Sequence, residues 1–147
     1  MIASAPIKTG EPLRSGADFD AALIVAREEL TIVRGRCDAG RQIAGRHVHH
    51  GHAEAFYVLE GELTFEIGSE REIVSVAGGG LVMVPAGVAH SYGTAGEAPA
   101  TWLTVHAPDG GFAAFMRGTR DGVEVEWDIA PVPADGGLPA HEAVVTL

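Results

Sequence analysis

A chain of 147 residues with 46% hydrophobic residues, 20 glycines and only 20% charged residues has the size and make-up of one turn-rich globular domain, which excludes a disordered class. Its net charge of −10, with nine arginines against one lysine, repels phosphate backbones and anionic bilayers, so neither nucleic acid nor a membrane is expected as a partner. The start of the chain has no basic-then-apolar leader, no run of 18 apolar residues occurs, and the single Cys37 has no disulfide partner; a cytoplasmic location is expected, with Cys37 a small core thiol.

Residues 1–28 carry Pro6, Gly10, Pro12 and Gly16 and read as an irregular N-terminal arm with a short edge strand at 23–26. Residues 29–36 are the first well-marked strand, rich in β-branched side chains and bounded by the Asp38-Ala39-Gly40 turn. Four arginines, Arg34, Arg36, Arg41 and Arg46, precede the histidine-rich stretch and read as solvated ion-pair partners, with binding of an anionic substrate as the sharper alternative.

The chemistry is concentrated in His47-Val48-His49-His50-Gly51-His52-Ala53-Glu54. Side chains alternate across a strand, so His47 and His49 project to one face and can share an ion. Glu54 lies at odd spacing from His49 and joins that face only if a bend intervenes, for which Gly51 is the natural place. A fourth ligand must come from elsewhere. His90, after the Pro85-Ala86-Gly87 turn, is the candidate, and three imidazoles with one carboxylate would fill four positions of an octahedron and leave two open. By the same parity His50 and His52 point away and are expected to be exposed, with one of them replacing a ligand if the register slips.

The spacing His-x-His-x4-Glu-x6-Gly, followed by Gly-x5-Pro-x-Gly-x2-His, resembles the paired motifs of the cupin superfamily across roughly residues 30–106. Each ligand position of the motifs is filled, by His47, His49, Glu54 and His90. Two other positions depart: Arg41 stands where a glycine is usual, and Thr94 where an asparagine is. The resemblance implies a jelly-roll barrel holding one divalent transition metal ion (Fe, Mn, Ni, Co or Zn), with Glu54 free to shift and take a proton. It also implies a homodimer. A looser likeness, in the phrase from His106 to Phe112 and the helix and proline-bearing tail after it, is to small quercetin-dioxygenase-like cupins.

Strands are expected at 55–59, 62–67, 72–76 and 81–84, each separated by a glycine-bearing turn. Leu63, Phe65 and Ile67 alternate with polar residues, so that strand has one dry face. His90, Tyr92 and Thr94 share parity, which places Tyr92 and Thr94 beside the metal, with Tyr92 as a donor behind the ligands or a packed core tyrosine. In the last strand, 101–106, Trp102, Thr104 and His106 share one face; His106 is a candidate proton carrier or a hydrogen-bonded wall residue. From Gly111 a helix of one to two turns runs to a glycine stop at Gly118, with Phe112, Phe115 and Met116 on one face as a lid on the barrel. The tail beyond Asp121 is expected to be extended and anchored by Trp127, within reach of the cavity mouth.

The expected architecture is therefore an all-β, double-sheet antiparallel jelly roll: an arm at 1–28, the barrel at 29–106, and a short helix and tail at 107–147 packing on it. The expected function is a metal-dependent dioxygenase acting on a small phenolic, enolic or diketone substrate, with Glu54, Tyr92 and His106 as catalytic candidates. Redox-neutral isomerisation, cyclisation or decarboxylation is the alternative, and a non-enzymatic small-molecule-binding cupin the third reading.

Overall fold

The computed structural model describes residues 10–147. The elements run β1 (Glu11–Ser15), β2 (Phe19–Ala26), β3 (Thr31–Cys37), β4 (Gln42–His47), β5 (Ala53–Glu60), β6 (Glu62–Ile67), β7 (Glu72–Ala77), β8 (Leu81–Val84), β9 (His90–Thr94), β10 (Ala100–Ala107), α1 (Phe112–Asp121), a 3-10 turn at Ala140–Glu142 and β11 (Val144–Thr146). Two antiparallel sheets face each other, one in the order β1-β2-β3-β10-β5-β8-β11 and one in the order β4-β9-β6-β7. Side-chain alternation explains the sandwich. In β6 Leu63, Phe65 and Ile67 are buried while their neighbours are not, and in β10 Ala100, Trp102, Thr104 and His106 all turn inward.

Two apolar clusters result. The main one joins Phe56 and Val58 of β5, Phe65 of β6, Val82 of β8 and Trp102 of β10 between the sheets. Each large side chain fully withdrawn from water in this way contributes about 1.5–3 kcal/mol. The second joins Leu13, Ala21, Leu23 and Val33 to Phe112 and Ala113 of α1, so the helix packs on the far end of the larger sheet. Cys37 is fully buried in the main cluster, and burial raises its pKa, as a core thiol requires.

Three features differ from the sequence-based expectation. Residues 11–26 are not an irregular arm: they form a β1–β2 hairpin that widens the larger sheet, with β1 bulged between Pro12 and Arg14. An edge strand leaves one row of N–H groups unpaired, so the Pro12 that argued against a strand is tolerated there. The stretch 1–9 of the expected arm lies outside the described residues. Helix α1 runs ten residues and stops at Gly122, in the left-handed conformation, whose N–H bonds to Gly118 O. Gly118 instead sits within α1 because a side chain there would strike Val123 and Val125 of the returning tail. That tail is extended for most of its length but ends by adding β11 to β8. No helix among the described residues is long and apolar enough to cross a membrane.

Candidate metal centre

Strand β4 ends at His47, Val48 bridges to Ala130 of the tail, and the chain bends at His50–Gly51 before β5 begins. The bend brings Glu54 round to face the histidine pair. His90, the first residue of β9, pairs directly with His47 across the smaller sheet. The turn before it is fixed by Gly87, whose positive φ of 85° suits glycine and whose N–H donates to His49 O at 2.8 Å. The four expected ligands thus meet: ligand atoms of His47, His49, Glu54 and His90 lie within 4.8 Å of one another. His49, Glu54 and His90 are buried and His47 is half-buried at the cavity side.

Hydrogen bonding fixes what these groups offer. A main-chain carbonyl can only accept, so each imidazole nitrogen held by one carries the proton. His47 Nδ1 donates to Gly45 O (2.6 Å), His49 Nδ1 to Asp128 O (2.7 Å) and His90 Nδ1 to Val88 O (3.1 Å). In the neutral rings all three Nε2 atoms therefore present lone pairs. They converge, His49 and His90 at 3.0 and 2.9 Å from Glu54 Oε1, and His47 Nε2 at 3.2 Å from His49 Nε2. Such a gathering of acceptors needs a cation or added protons at its centre, and nitrogen and carboxylate donors fit a divalent transition ion.

The electrostatics agree. Burial would raise the Glu54 pKa, but the imidazoles of His106, His49 and His90 outweigh it and hold the carboxyl well below its usual range. Burial, together with His90, lowers His47 to about 4, which keeps it neutral and free to ligate. For His49 burial is opposed and overcome by Glu54, so its pKa is raised.

Behind the ligands stands a chain of groups that parity had placed outside. His52, expected to be exposed, is buried: the bend at Gly51 resets the alternation and turns it inward. His52 Nδ1 donates to Asp128 Oδ2 at 2.7 Å, and His52 Nε2 receives the Nδ1–H of His106 at 2.7 Å. His106 Nε2 then lies 3.1 Å from Glu54 Oε2, close enough for an ion pair but off the direction of a hydrogen bond. His50 is exposed, as expected, and only its main-chain N–H is engaged, by Asp128 Oδ1 at 3.0 Å. Gly51 N–H takes the other oxygen at 2.7 Å. These bonds and His52 hold Asp128 down to about 2, against the burial that would raise it. Asp128 was missed because it lies 76 residues beyond His52. The one signal in the sequence was an acid next to Trp127, the tail's sole aromatic residue.

Above the cluster opens a cavity of about 630 Å³, reached by His47, Glu54 and His106 at one end. Its walls include Tyr92, Trp102, Phe112, Phe115, Met116 and Trp127. Trp127 stacks on Phe115 (4.7 Å between ring centres) and lies 5.3 Å from the His49 ring, so tail and helix together roof the site. Burial, reinforced by the Glu54 charge, raises the Tyr92 pKa and keeps it a phenol. Thr94 departs from expectation. It points away from the cavity, accepting Arg41 N–H (2.9 Å) and donating to Asp38 O (2.6 Å), and so ties down the β3–β4 loop. Of the four arginines weighed in sequence, Arg36, Arg41 and Arg46 face Asp38, Asp18 and Glu66, and none of the four lines this cavity.

Comparison with known proteins points the same way. The family described as "Cupin domain" matches residues 34–106. KdgF from Halomonas sp. shares 20% identity and a TM-score of 0.57 over 66% of this chain and 84% of that one. A predicted oxalate decarboxylase from Thermotoga maritima shares 22% identity, TM-score 0.58, over 67% and 93% respectively. An oxalate decarboxylase variant from B. subtilis shares 25%, TM-score 0.56, over 74% of this chain but only 31% of that one. No curated protein matches in sequence. With the family match over residues 34–106, every ligand position of the paired motifs filled, two facing antiparallel sheets and a His/Glu cluster inside them, the chain belongs to the cupin superfamily.

Proposed function

We propose that this cupin is a metal-dependent oxygenase of the dioxygenase type, acting on a small phenolic, enolic or diketone substrate. The observation that carries the reading is the gathering of three Nε2 lone pairs and the Glu54 carboxylate within 4.8 Å of one another beside an apolar-walled cavity. A divalent transition ion held by His47, His49, Glu54 and His90 would supply Lewis acidity and, for the redox-active metals, electron exchange with substrate and dioxygen.

The chain's own groups bind, dry and deprotonate. Phe112, Phe115 and Trp127 exclude water, which strengthens each charge inside. The raised pKa of Tyr92 makes it a hydrogen-bond donor toward a substrate oxygen. A proton leaving an enol or phenol has a place between Glu54 Oε2 and His106 Nε2, and the His52–Asp128 pair orients His106 for it.

A redox-neutral reaction, isomerisation, cyclisation or decarboxylation, is the second reading. The Glu54–His106 pair favours it, since holding a proton is all that such chemistry asks of the chain, and two of the structural relatives are called oxalate decarboxylases. The protein is proposed to work in the cytoplasm as a homodimer, the exposed Tyr57, Leu59 and Val144 on the outer face of the larger sheet giving a second copy an apolar surface to cover. Oxygen uptake with a panel of catechols, flavonols and β-diketones tests the reading. Uptake supports it, anaerobic turnover without uptake transfers the assignment to the redox-neutral class, and tight binding without turnover leaves a binding protein.

A further inference from the structure

The cavity has two polar ends, and only one belongs to the metal centre. At the other, on edge strand β1, Arg14 lines the wall with its guanidinium 5.0 Å above the Phe19 ring. Phe19 in turn stands edge-on to Trp102, with ring centres 6.3 Å apart. Among the described residues no carboxylate pairs with Arg14, and residues 1–9 contain no Asp or Glu. Arg120, the other cation of the wall, is already taken by Glu11 and Asp121, both at 2.7 Å. Glu54 is the sole acidic residue in the lining, at the opposite end.

The register of the sheet gives the offset along the strands, and the order β1-β2-β3-β10-β5 adds four strand spacings, about 19 Å measured around the curled sheet, across them. Arg14 pairs with Ala21, Ala21 with Gly35, and Gly35 with Trp102, whereas Glu54 pairs with His106. Trp102 and His106 are four residues apart on one strand, roughly 13 Å at the rise of a β-strand. The wall between is apolar and largely aromatic: Phe19, Trp102, Phe115, Met116 and Trp127.

From this arrangement, and resting on the reading of the cavity as the substrate site, we infer that the substrate is an elongated aryl acid. Its carboxylate is held by Arg14 at the rim, its rings lie along the aromatic wall, and its oxygen-bearing far end reaches the histidine cluster. Arginine suits the task, since its planar fork meets a carboxylate with two parallel hydrogen bonds while its face stays on Phe19.

The test compares 4′-hydroxybiphenyl-4-carboxylate with 4-phenylphenol, the same rings and hydroxyl without the carboxylate, by calorimetry on the protein as purified. The carboxylate is expected to bind about tenfold more tightly, the worth of one charge-assisted contact. Arg14→Gln is expected to abolish that gap with the affinity for 4-phenylphenol unchanged, and Arg14→Lys to restore part of it. Arg34→Gln, which removes a cation from the outer face of the same sheet, is expected to leave the gap intact. Equal affinities in the parent, a gap that survives Arg14→Gln, or one that Arg34→Gln removes would overturn the role of Arg14 while the cavity remains a binding site. Failure of both compounds to bind would overturn the cavity reading and this inference together.

Discussion

His106 Nε2 lies 3.1 Å from Glu54 Oε2, on the carboxylate oxygen that His49 and His90 leave free, since both of those face Oε1. One oxygen of Glu54 thus serves the ligand cluster and the other a separate histidine. Replacing His106 by Gln should therefore leave metal content near that of the parent while turnover drops by about 10²–10⁴, the usual worth of a positioned acid or base. Elemental analysis beside turnover separates the two effects; equal loss of both would mean that His106 is itself a ligand.

Asp128 grips the ligand loop from the tail, by its carbonyl on His49 and its carboxylate on His50, Gly51 and His52. Asp128→Ala keeps the main-chain carbonyl that orients His49 and removes only the carboxylate, so metal content should stay near that of the parent while turnover falls as His52 and, through it, His106 lose their alignment. It should also cost about 1–2 kcal/mol of stability at neutral pH, the shift from 3.8 to about 2 being discounted for partial solvent screening. A folded pKa below the unfolded one means that this stability is fully present above about 4 and is lost as pH falls toward 2. Urea midpoints of parent and variant, well apart at pH 7, should approach each other by pH 3.

The meeting of His47, His49 and Glu54 could be read from strand parity and one bend, which are local properties, while His90 was reached only through the second motif and its turn. His52 was misplaced because the parity of His49 was carried across the bend at His50–Gly51, although that same bend, invoked for Glu54, also turns His52, two residues before it, inward. Asp128 could not be read this way: its role comes from a tail that folds back through the Val48–Ala130 bridge, a contact with no local signature. The β1–β2 hairpin was hidden for a third reason. Pro12 and Gly16 are turn signals in isolation, yet an edge strand accepts a proline and Gly16 simply begins the hairpin loop, its N–H bonded to Phe19 O. Gly118, the expected stop of α1, is closed over by Val123 and Val125, whereas Gly122, the observed stop, takes the left-handed conformation in open space; nothing local in the sequence separates the two.

Gly35 of β3 lies opposite Trp102, and a Cβ there would sit 2.6 Å from Trp102 Cζ2. Trp102 is held in turn by a hydrogen bond from its Nε1 to Thr104 Oγ1 at 3.1 Å. Gly35→Ala should overpack this contact, costing about 1–3 kcal/mol and shifting the tryptophan emission as Trp102 moves into the cavity. An unchanged denaturation midpoint would mean that the wall yields freely.

Ligand histidines bind metal only when neutral, and unfolded histidine titrates near 6.5. Bound metal should therefore raise the melting temperature at pH 7.5, with the increment shrinking as pH drops below about 6.5. Melts recorded with and without chelator check this: curves that superimpose at pH 7.5 would remove the metal from the stability of the fold.

Metal content measures the central claim most directly. Protein prepared without a metal-affinity tag should carry close to one equivalent of a divalent transition ion, and His49→Ala and His90→Ala should carry little. A parent that holds no metal even after reconstitution, or alanine variants that hold as much as the parent, would contradict the assignment of the histidine cluster as a metal centre.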